Sequence, residues 1–311
     1  MTSLTTLSQL GARLSLAKLH VKLLRSAAAG QDVQHVFYIV DPENTQLMSF
    51  GEELATFAQV RSKLTNDYTR FGVPGFPKYG GDFNYDYLLR ACDIGDAFLT
   101  LHDDSLIYSN EVFPMIGDSL SRHDFGGFLD QRAKDAYSRI LLDGVPLGEL
   151  RIGTWFLFGK TDVYRRHGYG MAIYRNFYRW LINIQFRTAR LSAKSFRLWL
   201  NGGFDLNIRA RLDGRSFDIL DHHQGGRLGS DLEHFEKITG FFAHRGMLQF
   251  VDTKYEVDEW KKWLKSNAKL DKNGKIFEIE FMKELADLLA RHKVEDPLLN
   301  MQVIAYLEGN R

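Results

Sequence analysis

Three short runs of β-forming residues do most to limit what this chain can fold into: Val36–Val40, Ala97–Leu101 and Thr154–Phe158. Each is about five residues of nearly unbroken apolar or β-branched character, the signature of a buried strand. The first two stop at turn-forming polar residues, Asp41-Pro42-Glu43-Asn44 and His102-Asp103-Asp104. Stretches of helical length fill the intervals. Leu10, Leu14, Ala17, Val21 and Leu24 recur every three or four residues and predict a helix from Leu7 to Ala29, stopped by Gly30. Further helices are predicted from Phe50 to about Leu64, from Asp82 as cap to Ala91, over Glu111–Gly117, over Gly127–Leu142 and over the long aromatic stretch Met171–Leu200. Arg215–Leu220 reads as another strand, and the chain from Asp231 onward as mostly helical, clearest over Val257–Leu264 and Phe277–His292. Strands alternating with helices define an α/β fold with a largely parallel or mixed sheet.

Composition excludes several classes. Of 311 residues 44% are hydrophobic and 25% charged, so disorder is not the main state. Lys plus Arg is 40 against 39 Asp plus Glu, which argues against a whole-protein electrostatic grip on nucleic acid. The single cysteine, Cys92, permits neither an internal disulfide nor a cysteine zinc cluster, and makes a reducing compartment the default. No apolar run approaches the roughly 18 to 20 residues of a membrane span, and the first residues lack the apolar core of a secretory signal. The expected location is cytoplasmic. Aromatics are abundant at 13%, a surplus suited to stacking on flat ligands or sugar faces.

In open α/β sheets, ligands bind beyond the carboxyl ends of strands. Asp41 and the triplet His102-Asp103-Asp104 fall there. Adjacent carboxylates repel one another unless a positive charge joins them, and oxygen ligands suit Mg²⁺ or Mn²⁺, which in turn can hold a diphosphate. The plainer reading is a turn or a helix cap. Asp205 follows Gly202-Gly203, and Arg209 lies one helical turn on; Asp205 is either a positioned carboxylate or a cap.

The order of these motifs resembles the nucleotide-sugar glycosyltransferases of the GT-A fold, especially the large inverting family 2. The residues that carry the resemblance run from Lys78-Tyr79-Gly80-Gly81 through Asn84 to Gly95-Asp96, the apolar strand and His102-Asp103-Asp104. They continue with Gly153–Phe158, Gly203-Phe204-Asp205-Leu206 and Asp221-His222-His223, so the resemblance covers roughly residues 1 to 225. It implies a GT-A-like, Rossmann-related mixed sheet flanked by helices over 1–228; the helical pattern beyond it predicts a C-terminal extension over 229–311 packed on that domain. The resemblance implies transfer of a sugar from a nucleotide-sugar, a UDP-sugar on family frequency, to an acceptor hydroxyl, with inversion and a divalent metal, Mg²⁺ or Mn²⁺. By the resemblance Asp205 is the general base, Asp104 with His102 and His222 binds metal, and Asp41, Asn84, Asp103, Trp155 and Arg227 contact the donor. Trp155 has core packing as its alternative, and His222 and Arg227 have a solvated loop. His102 stands where the family has its first acid. The strand that opens such a domain is expected to be missing or reduced to about Ser3–Thr6, because the first predicted helix begins so early.

The stretch 165–215 holds eleven Lys and Arg against two Asp, interleaved with aromatics. It reads as a long helix with a solvated basic face, as a peripheral contact with the inner face of an anionic membrane, or, last in order, as a nucleic-acid track. The acceptor is expected to be a glycan, a lipid-linked group or a protein. The competing functional expectation is a non-catalytic GT-A descendant that binds a glycan or a partner; the reduced first strand and His102 both favour it.

Overall fold

The computed structural model describes residues 3–11, 14–40, 42, 44–62, 81–103, 105–129, 141–142, 145–146, 152–171, 203–220, 232–234, 286–287 and 289–296. The chain opens with β1 (Leu4–Leu10), α1 (Leu14–Ala28), β2 (Val33–Ile39), α2 (Thr45–Leu54) and β3 (Gln59–Arg61). Helix α3 (Gly81–Ala91) leads to β4 (Ala97–His102) and the short β5 (Ser105–Ile107). Then come α4 (Val112–Arg122), β6 (Phe125–Leu129), a small ladder of β7 (Leu141–Leu142) with β8 (Val145–Pro146), and β9 (Ile152–Lys160). Helices α5 (Thr161–His167) and α6 (Phe204–Leu212) precede β10 (Phe217–Leu220) and β11 (Leu232–His234).

Among the described residues seven strands form one sheet in the order β10-β6-β9-β4-β1-β2-β3. Neighbours are parallel except β9, which runs against both β4 and β6. This is a mixed sheet flanked by helices, as the alternation of strands and helices in the sequence predicts. One apolar cluster joins the sheet to α1, α2 and α4 through residues such as Leu24, Leu47 and Phe113. A second joins its other face to α3, α5 and α6 through Leu88, Tyr164 and Leu206. Burying each large apolar side chain contributes roughly 1.5 to 3 kcal/mol, so covering both faces is what makes the sheet stable.

The first strand is a correction. β1 is neither missing nor reduced: it is seven residues long, buried throughout, and central, paired with β2 on one side and β4 on the other. Leu7 and Leu10, assigned above to a helix, belong to it; α1 starts only at Leu14. The interior of β1 is partly hydroxylic, so the run lacks the unbroken apolar pattern of a buried strand. Thr5 Oγ1 accepts from the Gly95 N–H at 2.9 Å, and Thr6 Oγ1 lies 2.8 Å from His35 Nδ1. Buried polar groups satisfied in this way cost little.

Three smaller differences follow. Helix α2 begins at Thr45, where Asn44 Oδ1 accepts from the N–H groups of Gln46 and Leu47, both at 3.1 Å. The start of the predicted helix over Gly127–Leu142 is strand β6, with β7 at 141–142; Gly126-Gly127 weakened the strand signal. After residue 228 the described chain is not helical throughout, because β11 pairs antiparallel with β5. Residues 289–291 are helical, while 172–200 and 257–264 lie outside the described residues. Among the described residues no helix is long and apolar enough to cross a membrane.

Candidate functional site

The parallel strands β1, β2 and β4 finish together: Leu10 pairs with Ile39, and Gln9 with His102. Antiparallel β9 starts at the same edge, since Ile152 pairs with Leu129 at the end of β6. The turns after three strands and the first residues of a fourth therefore meet along one line. This is the edge where α/β sheets bind ligands.

The acidic turn after β4 is held from three directions. Asp103, only 5% exposed, accepts the Gly11 N–H at 2.9 Å, so the turn after β1 anchors it. A side chain at residue 11 would put its Cβ 2.7 Å from Val40 Cβ, so the close approach of these two turns requires glycine there. Ser105, two residues on, donates its hydroxyl to the Trp155 carbonyl at 3.0 Å. Its own carbonyl lies 2.9 Å from His20 Nδ1, and His20 Nε2 lies 2.9 Å from Ser8 Oγ. His20 is buried at 1% exposure. The turn after β1, helix α1 and strand β9 thus hold Asp103 and Ser105 in place. Such rigidity positions acids without an ordering cost at the moment of binding.

Beside this turn, Asn84 of α3 is buried and donates to Gln9 Oε1 at 3.1 Å. The Tyr85 hydroxyl donates to the Leu101 carbonyl at 2.7 Å, and the Tyr85 ring lies parallel to His102, centroids 6.3 Å apart. These contacts pin the start of α3 to the ends of β1 and β4.

Helix α6 brings its N-terminus to the same edge. Its cap, Gly203, has φ 72°, a left-handed conformation that favours glycine. A Cβ there would sit 3.1 Å from Thr154 Cγ2. Asn207 completes the dock: Nδ2 donates to the carbonyls of Ile152 and Gly203 at 3.0 and 2.9 Å, while Oδ1 accepts the Ile152 N–H at 3.0 Å. Asp205 is the second residue of this helix. Arg209 donates to the carbonyls of Gly168 and His167, at 3.0 and 3.2 Å.

Of the residues singled out in the sequence, Asn84, His102 and Asp103 lie together at this edge, and the backbone of Asp205 lies in the helix docked on it. Trp155 is core: it is 1% exposed and stacked on Phe128, centroids 5.2 Å apart and planes 3° apart. Asp41, Asp104, His222 and Arg227 lie outside the described residues, as does most of the basic stretch 165–215. Among the described residues no three His, Cys, Asp or Glu side chains converge as a metal site. Sequence reasoning missed His20, Ser8 and Ser105. The available signal was a histidine inside the apolar stripe Ala17, Val21, Leu24, which demands a buried polar partner.

No family model matches this chain, and no curated protein does. Solved structures with partial likeness include the mannosyltransferase PcManGT from Pyrobaculum calidifontis in complex with GDP-Man and Mn²⁺, at 10% identity over 55% of this chain and 47% of that one, TM-score 0.38. Another is the galactosyltransferase LgtC in complex with donor and acceptor sugar analogs, at 13% identity over 52% of this chain and 60% of that one, TM-score 0.39. A third is S. aureus TarS, residues 1–349, at 13% identity over 70% of this chain and 58% of that one, TM-score 0.38. The chain thus spans about half the length of the first of these and less than two thirds of the other two.

Proposed function

We propose that this chain is a glycosyltransferase that moves a sugar from a nucleotide-sugar, with a UDP-sugar as the first donor to assay, to an acceptor hydroxyl with inversion. The observation that supports it most is the end of β4, where the Gly11 N–H holds Asp103 and where Trp155 and His20 hold Ser105, at the strand-end edge of the sheet. A leaving diphosphate gains charge as its bond to the sugar breaks, and cationic help must lie beside it. The carboxylate of Asp103 supplies oxygen donors of the kind Mg²⁺ or Mn²⁺ accepts, and the imidazole of His102, a softer donor, is the poorer match for either ion. Asp104 and His222 would complete the holding set, and the metal would neutralise diphosphate charge. Asp41, following the end of β2, is proposed to accept from the base, with Asn84 and Arg227 at the donor and Trp155 supporting the edge from the core. Contact of the basic stretch 165–215 with a membrane surface belongs to the same proposal.

Asp205 is proposed as the general base. It is the second residue of a helix whose N-terminus is docked at this edge. A base must be ionised and near the acceptor hydroxyl to take its proton during attack. Asp205→Asn is expected to cut turnover by roughly 10² to 10⁴ with donor affinity little changed. Unchanged turnover would return Asp205 to a helix cap. Loss of donor binding would assign the carboxylate to the metal or the fold. The competing reading, a non-catalytic descendant, keeps His102 as its support, but the complete β1 removes its other one.

A further inference from the structure

A second concave surface lies on the face of the sheet covered by α1 and α2. Helix α1 starts just past the edge described above and runs back along the sheet, so Lys18, Lys22 and Arg25 lie progressively farther from that edge. These three line a groove of about 810 Å³ with α2 and the segment 293–295.

Four cations face this groove: the three from α1 and Lys293. Two acids, Glu53 and Glu295, also line it, which leaves an excess of positive charge. Spacings of four and three residues put the α1 cations on one side of the helix. All three are exposed, and among the described residues no carboxylate lies within ion-pair distance of them. They are nonetheless held. The Arg25 guanidinium lies 4.0 Å over the ring of Phe57, and Lys18 Nζ lies 5.8 Å from the centre of the Phe50 ring. Lys22 Nζ donates to the His292 carbonyl at 2.5 Å, which ties the 292–295 segment to α1. Lys293 has φ 53°, a left-handed backbone that is uncommon outside glycine. Like charges gathered and pre-positioned in a cleft repel one another until an anion enters.

We propose that this groove is a ligand site for a soluble small molecule carrying two or more phosphate groups, separate from the strand-end site. Its size is that of small-molecule pockets, which run from roughly 300 to 1,000 Å³. The groove is open to solvent on its outer side and walled by α1, α2 and residues 293–295, which leaves room between its walls for a small free molecule. The guanidinium of Arg25 offers a planar fork to phosphate oxygens, and the lysines offer point charges. The proposal does not depend on the glycosyltransferase reading.

Titration calorimetry of the full chain with inorganic tripolyphosphate, in EDTA so that no divalent cation serves the strand-end site, tests it. Saturable binding of one equivalent is expected, weakening as salt is raised. Lys18→Glu/Arg25→Glu is expected to weaken binding at least tenfold, and Lys18→Gln/Arg25→Gln to weaken it less. The same charge change at exposed positions elsewhere, Arg90→Glu/Arg122→Glu, should leave it within about twofold, because electrostatic contributions fall off beyond a Debye length of about 10 Å at 0.1 M salt. Three results would each overturn the proposal. They are no tripolyphosphate binding by the parent, equal weakening by groove and control variants, and capture only by phosphatidylserine vesicles without binding of the free phosphate.

Discussion

Strands β1 and β4 lie side by side at the centre of the sheet and are both enclosed, yet they are built from different materials. β4 is apolar apart from its last residue, His102, and Thr100, whose hydroxyl donates to the Thr154 carbonyl at 2.7 Å. β1 carries Thr5, Thr6, Ser8 and Gln9, all buried, and each reaches a different partner: Gly95 before β4, His35 on β2, His20 on α1 and Asn84 on α3. The apolar strand contributes transfer free energy, which has no direction. The polar strand contributes direction: its hydrogen bonds fix where α1, α3 and the acidic turn stand relative to the sheet. Position, more than bulk stability, is what the candidate site needs.

That contrast can be broken at either strand. In β4, Phe98→Ala removes a fully buried ring packed edge-on against Tyr164 and is expected to cost about 3 to 5 kcal/mol in denaturant unfolding. In the β1 network, His20→Leu keeps the bulk but leaves Ser8 Oγ and the Ser105 carbonyl without the imidazole, for an expected loss of about 1 to 3 kcal/mol. Adding Ser8→Ala should recover part of that loss, because one stranded hydroxyl is then gone. Simple additivity of the two substitutions would mean that the contact carries no energy.

The smallest effect concerns pH. Burial, and then the neighbouring His20 and Arg25, hold the His35 imidazole down at about 4. The unfolded chain therefore takes up this proton before the folded one does. The resulting stability is complete above about pH 6.5 and is lost as pH falls toward 4. Partial exposure and screening bring the contribution to roughly 1 kcal/mol. His35→Gln should flatten the fall in stability across that window, measured by denaturant midpoints at several pH values. An unchanged slope would show that other groups govern it.

The same contrast accounts for what the sequence made legible. The runs that became β2, β4 and β9 stood out because strands buried by apolar residues look alike wherever they occur. Strand β1 did not, because hydroxyls that are satisfied inside a fold read as loop or helix start when their partners lie up to 90 residues away. The acidic turn was visible as chemistry, whereas its restraints were not. Gly11, His20 and Ser105 come from three separate elements that only the sheet order brings together. Gly203 was readable as a turn before a helix, but not as the residue that lets α6 approach Thr154.

The central claim is that this edge binds a nucleotide-sugar through a metal held at the acidic turn. Thermal unfolding of the parent and of Asp104→Asn, each with a panel of nucleotides and nucleotide-sugars and with or without Mn²⁺, tests it most directly. At a hundredfold excess over Kd, binding adds about 2.7 kcal/mol, a rise in Tm of several degrees. The account predicts that rise for at least one nucleotide-sugar, only with Mn²⁺, in the parent but not in Asp104→Asn. No response to any nucleotide, or an Asp104→Asn variant that responds as the parent does, would contradict it.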